Sequence, residues 1–173
     1  MLSLAFSSDY LLPFWAGEFN SSNIMDMKKV RLKDIIDEID GIDDMHISYL
    51  DTETGIIAMI TDDGDEVYYA GDETLERDDL VEPRFLELPS SWDVNDYYSM
   101  VEFIENLDDE DAAKSLARAI DGRGAFRAFK ERARELGLIE EWWKFLREAH
   151  KKIAISWCKE NGIEYEDDEE QVQ

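Results

Sequence analysis

Leu32, Ile35, Ile36 and Ile39 recur at the spacing of one helix face, and Gly41 stands where that helix would stop. The period then shortens to that of strands. The runs HISYLD and GIIAMIT flank Thr52-Glu53-Thr54-Gly55, and a second turn, Asp62-Asp63-Gly64-Asp65, leads into EVYYA. Three β-rich runs around two short turns predict an antiparallel meander, with Gly55 supplying the left-handed residue of the first turn. Residues 71–91 are acidic, carry Pro83 and Pro89, and read as a connector.

Beyond the connector the period is helical to residue 162. Val94, Tyr97, Val101 and Ile104 form one apolar stripe, with Ser91 or Asp93 as its cap. Asp108 and Asp111 flank the next helix start in the manner of a capping box, and Ala112, Leu116 and Ile120 form its buried side. A third helix opens after Gly122 and stops at Gly137, with Phe126, Phe129, Ala133 and Leu136 as its apolar edge. The fourth carries Ile139, Trp142, Leu146, Ala149, Ile153 and Trp157, with Trp142 facing the core and Trp143 its rim.

The predicted class is α+β: an N-terminal helix and a small three-stranded antiparallel meander, followed by a C-terminal subdomain of about four helices. Residues 27–162 form the domain. Residues 1–26 read as a poorly ordered extension ahead of MKKVRLKDIIDEIDG, which resembles a protein start, and 163–173 as a disordered acidic tail.

A hydrophobic fraction of 44% suffices for a core despite 35% charged residues, and the net charge of −25 argues against general affinity for anionic membranes or nucleic acid. No apolar run reaches the roughly 20 residues of a membrane span. No Lys or Arg precedes Lys28, the reverse of a secretory leader, so the expected location is cytoplasmic. A lone Cys158 excludes an internal disulfide.

Charge changes this picture most where it is uneven. Residues 1–111 hold 30 acidic and 6 basic side chains, whereas 112–163 hold 7 acidic and 12 basic. Arg123, Arg127, Lys130 and Arg134 line one side of the third helix, about 110° around from its apolar edge. The expected role of this row is an internal brace against the acidic front half. The alternative is a site for an acidic partner or a phosphate backbone.

Four stretches carry a family resemblance: LELP with WDVNDY across 86–97, MVEFIENL at 100–107, GRGAFRAFK at 122–130 and WCKENG at 157–162. The hairpin YLDTETG at 49–55 is also similar. From Val30 to Gly162 the chain resembles the uncharacterised bacterial protein family UPF0158. The resemblance implies a small bacterial cytosolic protein and supplies no catalytic residue, ligand or cofactor.

Catalytic chemistry finds little support. His150 and Cys158 share a helix but stand about 12 Å apart along its axis, too far for a dyad, so Cys158 reads as a packed thiol and His150 as a helix-face residue. Asp51 to Gly55 lacks the spacing of a calcium loop, and Asp62 to Glu66 reads as solvated turn residues. No catalytic, metal or cofactor site is assigned.

The expected function is that of a non-enzymatic protein-interaction or regulatory module whose acidic front meets a protein with a basic surface. Its rivals are a nucleic-acid mimic built on Asp62, Asp63, Asp65 and Glu66 or on residues 108–111, an acid-and-metal enzyme, and RNA or anion binding through the basic helix at 122–134.

Overall fold

The computed structural model describes residues 28–168 apart from 44, 62, 63 and 65. The expected extension at 1–26, the end of the tail and most of the Asp62–Asp65 turn therefore lie outside the described residues. The fold is α+β. Strand β1 (Val30–Arg31) runs into helix α1 (Leu32–Asp40), whose Leu32, Ile35, Ile36 and Ile39 are the buried residues that the periodicity selects. The meander follows as β2 (His46–Asp51), β3 (Ile57–Thr61) and β4 (Val67–Tyr69). Its first hairpin pairs His46 with Thr61 and Leu50 with Ile57, and Gly55 turns it at φ +72°, a region that costs a residue without Cβ little.

The connector is more structured than its composition suggests. Phe85–Glu87 form β5, which pairs antiparallel with the free edge of β2, Asp51 against Phe85, so the sheet has four strands in the order β4-β3-β2-β5. Phe85 is buried with Ala58, Ile60 and Leu80 on one face. The apolar burial at Phe85 outweighs the polar, proline-bearing residues around it.

The helical part begins with a capping box, in which the N–H of Ser90 donates to Asp93 at 2.9 Å and opens the one-turn α2 (Ser91–Val94). Asn95, at φ 42°, breaks the predicted continuous stripe, and α3 (Asp96–Glu105) restarts after it with Met100 and Phe103 buried in place of the expected Tyr97, Val101 and Ile104. Asp109, between the two acids named from sequence, is the cap of α4 (Glu110–Ala119), accepting from the N–H groups of Asp111 and Ala112. Helices α5 (Ala125–Glu135) and α6 (Ile139–Glu160) complete the subdomain.

Two cores meet along α6. Its first half packs Trp142 against Phe103, Leu116 and Phe129, with ring centroids 4.7 Å apart for Phe129 and Trp142. Its second half packs Ala154 and Cys158 against α1 and Leu50. Residues 163–168 of the expected disordered tail are ordered. Ile163 is buried, and β6 (Tyr165–Glu166) pairs parallel with β1, Val30 opposite Tyr165. Acidic composition suggested disorder, but Glu166 and Asp167 meet Lys29 and Lys151 at 3.5 and 2.8 Å.

Phe129 has no exposed surface and stands edge-on to both Phe103 and Trp142. Phe129→Ala is expected to lower the unfolding free energy by about 3–5 kcal/mol in a urea titration, because neighbouring rings cannot close the void. A loss under about 1 kcal/mol would mean that this core is loosely packed.

Candidate functional site

The acidic front and the basic back are joined by α6, not by the predicted row on α5. Asp37 and Asp40 lie one turn apart on α1, and Arg147 donates to both, to Asp37 at 3.0 Å. One turn further along α6, His150 is only 2% exposed. Its Nδ1 meets Asp40 Oδ1 at 2.5 Å and its Nε2 meets Asp96 Oδ1 at 2.8 Å. Burial opposes a charge here, but two carboxylate acceptors outweigh it and push the imidazole up to about 9. His150 is thus an imidazolium donating from both nitrogens and tying α1, α3 and α6 at one point. The sequence reading of a helix-face residue missed this because its two partners lie 110 and 54 residues away. Cys158, by contrast, is the packed thiol expected, raised to about 11 by burial.

A second charged node closes the sheet. Asp51 is fully buried on β2. Burial opposes its charge, but Arg84 at 3.0 Å, Tyr69 Oη at 2.6 Å and the Glu53 N–H at 2.9 Å hold it at about 2. Asp51 therefore ties the DTETG turn to β4 and to the residue before β5. The node reads as structural.

The α5 row is arranged differently from the internal brace expected of it. Arg123 and Arg134 are exposed and make no ion pair among the described residues. Arg127, with 87% of its side chain exposed, pairs only with Glu131 of its own helix, at 2.9 Å. Lys130 stands 6.0 Å from the centroid of the Trp143 ring. The reason is topological: α1 spends its carboxylates on α6, while α5 packs on α3, α4 and the opposite end of α6. Two glycines at positive φ, Gly122 at +102° and Gly124 at +78°, turn the chain into α5.

Aromatics that the periodicity assigned to the core also come to the surface. Phe126 and Tyr97 are 47% and 40% exposed, and Trp92 is 88% exposed. All three line one cavity of about 480 Å³, whose wall also includes Ile42, Asp43 and Asp96. Phe126 stands about 60° around α5 from Phe129, the middle of the buried arc of Ala125, Phe129 and Ala133, and so falls at that arc's edge. Trp92 sits on the exposed side of α2, and nothing in its spacing signalled a shared site. Asp96 belongs both to this wall and to the His150 clamp, so the clamp positions the start of α3 at the cavity.

The segments meeting here, residues 86–97 and 122–130, are those that carry the likeness to a family. Residues 25–172 match the group described as "Uncharacterised protein family (UPF0158)". The chain belongs to the UPF0158 family. A curated relative, UPF0158 protein PA5073 of Pseudomonas aeruginosa, is 29% identical over 66 residues, which are 38% of this chain and 43% of that relative. The aligned part thus spans less than half of the relative's length. No solved structure matches the UPF0158 chain. Among its described residues no helix is long and apolar enough to cross a membrane, and no three His, Cys, Asp or Glu side chains are grouped to hold a metal ion.

The His150 clamp makes a signed prediction. A group whose folded pKa is raised from 6.5 to about 9 stabilises the fold fully below pH 6.5, and the contribution is lost as pH rises through 9. The stability gap between the wild type and His150→Gln should therefore shrink by about 3 kcal/mol from pH 6 to pH 10 in urea titrations. An NMR titration of the imidazole in the intact wild type should have its midpoint near 9. A midpoint near the ordinary value of 6.5 would remove the clamp.

Proposed function

We propose that this UPF0158 chain is a non-enzymatic protein-interaction module whose recognition face is the aromatic cavity at α2, α3 and α5. One observation carries the reading: Trp92, Tyr97 and Phe126, from separate segments, remain solvent-exposed yet converge on the same cavity. Large aromatics left outside a core that already holds Phe103, Phe129 and Trp142 are the usual anchors of protein interfaces. The rim is charged with both signs. Asp43 and Asp96 stand on the wall, and Arg127, Lys130 and Arg134 continue along α5 from Phe126. Such a rim selects partners by charge pattern rather than by net attraction. The partner first expected, a protein with a basic surface, fits the acidic side of this rim and the net charge of −25. A cytoplasmic setting is part of this proposal.

A second reading, RNA or anion binding along α5, is favoured by the exposure of Arg123 and Arg134 without carboxylate partners among the described residues. Lys130 beside the exposed Trp143 adds a stacking surface. The overall negative charge ranks this reading second, since it repels a long polyanion over roughly 8 Å at physiological salt.

Affinity capture from an extract of the native host, with and without nuclease, separates the two. The full chain, the double variant Trp92→Ala/Phe126→Ala and the quadruple Ala variant at Arg123, Arg127, Lys130 and Arg134 serve as baits. A nuclease-resistant protein retained by the wild type and depleted about tenfold or more by the aromatic variant supports the interaction module. RNA lost only from the quadruple variant supports the second reading and contradicts the first. Indifference of every retained species to the aromatic variant also contradicts the first.

A further inference from the structure

We infer that the cavity walled by Trp92, Tyr97 and Phe126 binds a quaternary ammonium head group. The inference deepens the interaction reading and rests on the cavity being a recognition site. The wall offers three aromatic rings and two carboxylates, Asp43 and Asp96, and includes no Lys, Arg or His. Ring faces carry negative quadrupole density and attract a cation, and although Asp96 is already paired with His150, the rings together with Asp43 favour positive charge over phosphate or carboxylate. The charge of −25 on the whole chain adds to that preference.

The chemistry of the wall also selects which cation. Each carboxylate already has one oxygen engaged: Asp43 Oδ1 accepts from the Met45 N–H at 2.8 Å and meets His46 at 2.9 Å, while Asp96 Oδ1 is held by His150 at 2.8 Å. These contacts hold the carboxylates in place, and His46 and the Met45 N–H keep Asp43 below its usual range. The rest of the wall is mainly aromatic and aliphatic, with Ser91 and Asn95 as its other polar residues. A bare ammonium is held best where acceptor oxygens surround it, which rings and aliphatic side chains do not supply. A trimethylammonium group is weakly hydrated, presents methyl groups to the rings and needs no hydrogen bond. The volume of about 480 Å³ accommodates such a head with part of its chain.

The cations of α5 do not close the site. Arg123 and Arg127 flank Phe126 in sequence but are not on the wall, and Arg127 is drawn along its own helix to Glu131. A ligand that pairs a quaternary ammonium with a nearby anionic group would therefore meet cavity and row together.

Calorimetry on the full chain tests this with four probes: N-acetyl-trimethyllysine methylamide, its neutral tert-butyl isostere, the unmethylated lysine derivative, and choline. The trimethylated probe should bind with a Kd on the order of 1 mM or tighter, and the neutral isostere about five- to tenfold more weakly. The unmethylated probe should also bind more weakly than the trimethylated one. Tighter binding of trimethyllysine than of choline assigns the head group to a partner's side chain, and the opposite order to a free small molecule. Trp92→Ala, which removes an exposed ring and leaves the core intact, should abolish saturation, and Asp43→Asn should weaken it several-fold. Equal affinity for the neutral isostere, or binding unchanged in Trp92→Ala, would overturn the inference. Absence of probe binding, with partner capture still dependent on Trp92 and Phe126, would overturn it alone. If capture too is indifferent to those rings, the interaction reading falls with it.

Discussion

A positive charge sealed between two carboxylates holds the two ends of this molecule in register. His150 can be buried as an imidazolium only because Asp40 from α1 and Asp96 from α3 both reach it. Breaking either contact would leave a charge in an apolar setting, which is why such an arrangement fixes geometry even where it adds little net stability. Arg147 extends the clamp by one turn onto Asp37 and Asp40. An acidic N-terminal half and a basic helix are thereby locked at a single angle, and the hydrophobic contacts of Ile36 and Ile39 with Ala154 and Cys158 follow from it.

The surface is a consequence of that choice. Because α6 supplies the cations that answer α1, the row on α5 is not drawn inward. Because α3 is anchored through Asp96, its next residue, Tyr97, lines the same cavity as Trp92 and Phe126. The same contact that unites the halves therefore shapes the cavity. A cavity with mixed aromatic and carboxylate walls, beside a cationic row, is chemically distinct from the uniformly acidic surface that the composition suggests.

Much of the architecture was legible because it is local. The α1 stripe, the β2–β3 hairpin around Gly55 and the division of Trp142 from Trp143 follow from period and turn chemistry alone. What failed was non-local. Phe85 gave no strand signal of its own, yet pairs with Asp51 across 34 positions, and residues 163–168 are held by β1 and Lys29 at the far end of the chain and by Lys151 on α6. The candidate site was half legible. Arg127, Lys130 and Arg134 of α5 were found by spacing, whereas Arg123 falls before the cap Gly124, and spacing cannot tell whether carboxylates elsewhere will come to them. Phe126 and Tyr97 fit a helical stripe and were assigned to the core, whereas Phe126 falls at the edge of the buried arc of α5 and α3 buries Met100 and Phe103 instead of the stripe that holds Tyr97. The surplus at the edge of that arc is what forms the site.

The account turns on which cations join the acidic half to the rest, and a direct comparison of two variants in urea measures it. Arg147→Ala should lose about 2 kcal/mol of unfolding free energy, since it strips a charged donor from Asp37 and Asp40 at once. Replacing Arg123, Arg127, Lys130 and Arg134 together by Ala should leave stability within about 1 kcal/mol of the wild type, as expected of exposed charges. A quadruple variant less stable than Arg147→Ala would show that the α5 row braces the fold after all.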